Sequence, residues 1–287
     1  MNGGHSLSKV LVCLQIMILD GRSTFIMSEF SSWDSYRKFQ RTVRYKFRFL
    51  WPPEINEFLD VVLATSQSRI TEIKEGLVFW RAQIGCGSRE IGEGDTMFEL
   101  DAAYPVERMK PLRDRATDGR VNPKGIPFLY LATQDQTAIA EVRPWIGSYV
   151  SVAQFKVLRN IRVIDCGRHT GNPPWLFREV SADEREKVVW QHIDAAFSEP
   201  MTRSDDHADY LPTQIIAELF KSSGFDGVIY KSRFGNNGYN LALFDLDAAD
   251  VISCGLHRIE EITYKTSEQD QPYFVSKYFE NLAPKKL

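Results

Sequence analysis

The sequence predicts an α+β fold: a mixed β-sheet core with flanking helices and a small helical extension at the N-terminus. Three observations predict it. Short apolar runs of strand length are spread through residues 76–255 and separated by turn residues. Helical periodicities fall between those runs without a repeating β-α-β unit. Two amphipathic helical patterns precede the first strand. The expected divisions are 1–27, 28–75, 76–255 and 256–287, the last a C-terminal tail.

The elements follow in chain order. Residues 10–19 are apolar and follow Lys9, but the run is too short to span a bilayer as a helix. Asp20, Gly21 and Arg22 stand where a signal peptide would carry small residues for cleavage. Met27 opens a more ordinary sequence, so 1–27 reads either as a peripheral segment or as a mis-started one. In residues 34–50, Tyr36, Phe39, Val43, Phe47 and Leu50 recur at helical steps, with Arg37, Arg41, Arg44 and Arg48 on another face. The plain reading is a helix whose stripe packs on the body and whose arginines are solvated. Basic residues interleaved with aromatics also suit nucleic acid. Pro52 and Pro53 break the chain before a second helix over 54–64.

Residues 76–82 read as a strand with Leu77, Phe79 and Arg81 on one face, Arg81 being the odd charge among apolar neighbours. The charged stretch 107–120 reads as a mobile loop or lid. Then comes the most informative segment, 119–143. Gly119, Asn122, Pro123, Gly125 and Pro127 make a turn-rich loop, 128–132 a buried strand, and a short helix carries Glu141. Thr133 or Asp135 can cap that helix, and Pro144 ends it. Residues 149–157 and 161–166 read as strands. Ser181 and Glu184 form a capping box opening a helix to about 197. Pro212 starts another helix and Gly224 stops it. Residues 227–232 and 239–245 are strands joined by a Gly/Asn turn at 235–238.

Composition bounds the chemistry. A net charge of −3 gives no global pull toward nucleic acid or an anionic membrane. Cys13, Cys86, Cys166 and Cys254 are far apart, which suits free thiols in a reducing compartment rather than a disulfide frame. The five histidines make no metal-ligand spacing. Gly85-Cys86-Gly87 lacks the third glycine of a dinucleotide fingerprint, and neither a Walker loop nor a G-x-S-x-G elbow occurs.

Three separated motifs carry a resemblance. Residues 77–81 with Arg81, the helix with Thr137, Ala138 and Glu141, and 230–244 with Ser232 together resemble the RES domain family, named for an arginine, a glutamate and a serine. The match runs from about 76 to about 250. It implies an ADP-ribosyltransferase-like core that consumes NAD as substrate, with no separate cofactor and no metal. Breaking the nicotinamide–ribose bond places positive charge on the ribose, and a carboxylate there stabilises it. Glu141 matches the family glutamate and takes that role. Arg81 matches the arginine and would hold the pyrophosphate, helped by Arg120. Tyr130 would stack on the nicotinamide ring, and Ser232 would bond its ribose. Asn122, Thr137 and Arg143 belong to the same pattern, and structural roles suit them equally.

The resemblance further implies a cytoplasmic bacterial toxin whose cleft is covered by an Xre-type antitoxin. Water, phosphate or a protein would accept the ADP-ribose, and a homo-oligomer stays open. Two other classes remain: a non-catalytic nucleotide-binding or partner-binding module, and a nucleic-acid-associated effector working through helix 34–50. Taken singly, each site residue has a plain structural role, and Arg81 and Glu141 could simply pair.

Overall fold

A computed structural model describes residues 29–92, 97–112, 114–169, 173–174, 176, 178, 180–199, 207–234, 238–264 and 266–267. The apolar run 10–19, Cys13, the turn residues 235–237 and the tail 268–287 lie outside them.

Two helices open the described chain, α1 (Ser35–Tyr45) and α2 (Pro53–Ser66). The apolar stripe of α1 buries Tyr36, Phe39 and Val43, but it stops there. Lys46 and Phe47 both donate their N–H to the Thr42 carbonyl, which closes the helix early. Phe47 and Leu50 are therefore exposed, against the expectation of a stripe to residue 50. Arg44 also departs from expectation: it is ion-paired with Asp209 rather than solvated. Pro53 at the first position starts α2, where its missing N–H costs nothing.

The strands are β1 (Ile70–Ile73), β2 (Val78–Ile84), β3 (Gly87–Ile91), β4 (Phe98–Ala102), β5 (Leu129–Ala132), β6 (Tyr149–Val157), β7 (Ile161–Asp165), β8 (Gly227–Lys231), β9 (Tyr239–Leu243) and β10 (Ala249–Arg258). The remaining helices are α3 (Val106–Met109), α4 (Asp135–Glu141), α5 (Ala182–Ser198) and α6 (Leu211–Ser222). Eight strands form one sheet in the order β1-β7-β8-β9-β5-β2-β6-β10. Every pairing in it is antiparallel except β7 with β8, which α5 and α6 connect. This is the predicted mixed sheet with flanking helices. Among the described residues no helix is long and apolar enough to cross a membrane.

The sheet buries both faces. On one, α1, α2, α5 and α6 pack over Ile164, Val228, Tyr230, Ala242 and Phe244, with Trp190, Phe197 and Phe220 at the centre. On the other lie Phe79, Leu129, Leu131, Phe155, Leu241 and Leu243. The strands thus alternate between two cores, which is why they read as continuous apolar runs. A third, small cluster joins Ala82, Ala132 and Ala138, whose short side chains let α4 lie close to the sheet.

Several expectations are corrected. β1 precedes the first expected strand and joins the main sheet through β7. β10, not read from the sequence, continues to Arg258. The start of the stretch 107–120 is anchored: Met109 of α3 is fully buried, and Gln83 Nε2 donates to the Arg108 carbonyl. Neither Thr133 nor Asp135 caps α4, whose N-cap is Gln134. Thr133 Oγ1 instead accepts from the Tyr239 N–H, fastening β9. Ser181 does cap α5, accepting from the Glu184 N–H at 3.4 Å. β3 and β4 form a separate hairpin, one face of which sets Ile91 opposite Phe98 and Leu100 opposite the charged Arg89.

Candidate active site

β2 and β5 share a single register pair, Trp80 with Ala132. The two halves of the sheet part beside it. From that pair one row runs across the sheet: Trp80, Ala132, Asn240 and Tyr230 are register partners in turn on β2, β5, β9 and β8. All four line a cavity of about 330 Å³. They form its floor. Among the described residues the walls carry Arg81, Arg120, Arg143 and Arg233, the rings of Tyr130, Phe197, Tyr210 and Phe234, and one carboxylate, Glu141.

Glu141 ends α4. Its carboxylate Oε1 accepts from Ser232 Oγ at 2.6 Å and from Asn240 Nδ2 at 2.6 Å. The approach of α4 to β9 depends on Gly238: a Cβ there would overlap Thr137 Oγ1, Cβ and Cγ2. Beyond Glu141 the chain turns sharply. Arg143 has φ +50°, and Pro144 disfavours helical geometry there, as the sequence suggested. Its guanidinium lies 4.8 Å from the Phe234 ring centroid.

Arg81 sits one residue past the Trp80 pair and donates from Nη1 to the Tyr130 carbonyl at 3.0 Å. Burial pulls its guanidinium down to about 10, with Tyr130 opposing and Arg108 assisting. Its Nε is buried with no hydrogen-bond partner among the described residues. No ion pair joins Arg81 to Glu141 among the described residues, so the simple pairing is not formed. A partly unsatisfied cation in a dry wall favours an anionic ligand.

The structure gathers Arg81, Arg120, Tyr130 and Glu141 around one cavity, with Ser232 behind Glu141. Ser232 is buried and bonded to the carboxylate, so it acts on Glu141 rather than facing the cavity. Arg120 lines the cavity, but Nη1 and Nη2 donate to the Ala196 and Glu199 carbonyls at the end of α5. It caps that helix, where a cation complements the dipole. Tyr130 presents its ring, while its hydroxyl donates to Asn122 Oδ1 at 2.7 Å and accepts from the Val121 N–H at 3.0 Å. Burial raises the phenol well above its ordinary range.

Asn122, for which the sequence left ligand contact and a structural role equally open, is built into the scaffold. It is buried, its Nδ2 donates toward the Thr117, Pro123 and Ile126 carbonyls, and its Oδ1 accepts from the Tyr130 hydroxyl. Thr137 is likewise buried against Gly238. Sequence reasoning passed over Asn240, Trp80, Tyr230, Arg233 and Phe234. Asn240 had a legible signal, being the odd amide in the apolar run 240–244, as Arg81 is the odd charge in 77–82.

A family model described as the RES domain matches residues 98–266. No curated protein matches the chain. Among solved structures, a chain in "Crystal structure of the M.tuberculosis MbcT-MbcA toxin-antitoxin complex" is similar at 13% identity and a TM-score of 0.36, over 67% of this chain and 90% of that one. A superposition that loose transfers no residue roles. The matched segment takes in Arg120, Tyr130, Glu141, Ser232 and Asn240, while the fold brings Arg81 to them from outside it. Since that segment spans more than half of the sequence, this chain belongs to the RES domain family.

Proposed function

We propose that the cavity binds NAD and that Glu141 promotes cleavage of its nicotinamide–ribose bond. One observation carries this reading: among the described residues a single carboxylate, held by two hydrogen bonds, stands in a cavity walled by four arginines and several aromatic rings. Aromatic walls suit a nicotinamide ring, and the arginines suit a pyrophosphate. As the bond to nicotinamide breaks, its electron pair leaves with the nicotinamide nitrogen. The ribose becomes oxocarbenium-like, and the Glu141 carboxylate stabilises the charge that develops. Ser232 positions the carboxylate. Arg81, whose Nε is unsatisfied, and the rim residues Arg143 and Arg233 bind the diphosphate.

The ADP-ribose then passes to water, to phosphate or to a protein side chain. NAD is the substrate, and no further cofactor enters the scheme. In the cell the activity is that of a toxin, restrained by an Xre-type antitoxin that covers the cleft. The test is purified protein incubated with NAD, with and without phosphate, and the products resolved by mass. Free nicotinamide is expected in both reactions, and the mass of the ADP-ribosyl product names the acceptor. Tight binding without turnover would instead mark a non-catalytic binding module.

A further inference from the structure

Asn240 lies in the middle of the cavity floor, between Tyr230 and Ala132 in the register row. It is 6% exposed, and the four residues that follow it are apolar. A buried amide in such a strand costs stability unless it is bonded, and a leucine would suit the strand better. Its Nδ2 is spent on Glu141 Oε1, at 2.6 Å. An ionised carboxylate only accepts, so the atom facing it must be the amide nitrogen. Ser232 Oγ donates to the same oxygen at 2.6 Å. Among the described residues, both hydrogen bonds to this carboxylate therefore fall on Oε1 and none on Oε2.

We infer that Asn240 is a positioning residue for Glu141: with Ser232 it clamps Oε1 and so dedicates Oε2 to the reacting ribose. This rests on Glu141 being the carboxylate that stabilises the developing charge. Two short, charge-assisted bonds to one oxygen fix the plane of the carboxylate and keep it from rotating away from the substrate. A single donor would leave it free to swing about that contact. The two donors come from β9 and from the end of β8, so the hairpin itself sets the geometry. The alternative is that the amide merely satisfies a local polar need of the strand.

The experiment is Asn240→Leu, with Asn240→Ala as a smaller, uncharged second variant lacking the donor. The inference expects kcat for NAD cleavage to fall by roughly 10–100-fold, the scale of one hydrogen bond to a charged group. KM should stay within about threefold, because the arginines and rings that bind the substrate are untouched. Equal loss in KM with unchanged kcat, or activity within twofold of wild type, would overturn it. A second readout needs no turnover: the carboxyl 13C resonance of Glu141, identified by its absence in Glu141→Gln. It should move in Asn240→Leu, because a short bond to Oε1 is lost. If wild type cleaves no NAD but this resonance moves, the NAD reading fails and the clamp stands. If the resonance stays in place, the clamp fails whatever the substrate. Should Asn240→Leu not fold, Asn240→Ala is measured in its place. If neither variant folds, the amide serves the strand and the inference is overturned.

Discussion

At the scale of single residues, the site is a contrast between Glu141 and Arg81. Glu141 is half-buried and held by two donors, so its amide counterpart can occupy the same space. Glu141→Gln is expected to leave thermal melting unchanged and to lower NAD cleavage by roughly two to three powers of ten. Cleavage within twofold of wild type would remove Glu141 from the mechanism. Arg81 is bound to the Tyr130 carbonyl by one nitrogen and keeps others for a ligand. Arg81→Lys retains a charge but loses the planar fork, so KM for NAD should rise about tenfold with the fold intact. Unchanged KM in steady-state kinetics would make Arg81 a purely structural donor to the β5 backbone.

At the scale of elements, two contacts decide where helices sit. Gly238 lets α4 lie against the start of β9, and an alanine there would push Thr137 and its backbone away. Gly238→Ala should cost about 1–3 kcal/mol by overpacking and lower activity at least tenfold, since Glu141 rides on the same helix. Denaturant melts beside kinetics test this, and wild-type values in both would show that α4 yields without harm. The second contact joins α1 to α5. His192 is buried, stacks on Tyr36 with ring centroids 6.2 Å apart, and its Nε2 has no partner among the described residues. Burial, together with the Arg37 charge, pulls its imidazole down to about 4, against the opposing pull of Asp34. The unfolded chain takes up this proton near its ordinary 6.5, but the folded protein takes it up only near 4. More protons are thus bound by the unfolded state across that window, so stability falls as pH drops from about 6.5 to 4. The difference in stability between wild type and His192→Gln, followed by urea melts across that range, should shrink by about 1–3 kcal/mol. A constant difference would show that His192 titrates alike in both states.

At the scale of the whole molecule, the N-terminal helices belong to the main core. Phe39 and Phe58 stack at 4.7 Å within the same cluster as Trp190 and Phe220. Just after α2, Arg69 reaches across to α5. It is 4% exposed, donates to Asp194 Oδ1 at 2.9 Å and to the Asp165 carbonyl at 2.8 Å, and lies 4.0 Å from the Trp190 ring centroid. Burial pushes the Asp194 carboxyl up, while Arg69 and the bonds from His169 hold it down. Arg69→Ala would strand that carboxylate in the interior, so a loss of about 3–5 kcal/mol is expected in denaturant melts. A loss below 1 kcal/mol would mean that water or His169 takes over the charge. The same helix α5 ends in the carbonyls that Arg120 grips beside the cavity.

Much of this molecule was legible in the sequence because local physics repeats along a chain. The strands at β5, β6, β7, β8 and β9, the Ser181 cap, the Pro212 start and the Gly224 stop follow from periodicity and backbone stereochemistry. Arg81, Glu141 and Ser232 stood out as an ordered set through the resemblance to the RES domain family, and the fold brings them to one cavity or to its supporting shell. Tertiary structure alone decided the rest. Nothing local says that Asn240 meets a carboxylate 99 positions away, or that Arg69 meets Asp194 across 125. Nothing local says that Asn122 turns inward, that Thr133 fastens β9 instead of capping α4, or that the stripe of α1 ends at Val43. Turn and cap propensities are worth about 1 kcal/mol each, and a buried polar contact between distant strands outweighs them. The sequence by itself therefore determined which residues carry charge into apolar surroundings. Only the sheet order, which joins β8, β9, β5 and β2 in one register row, decided which of them face one another.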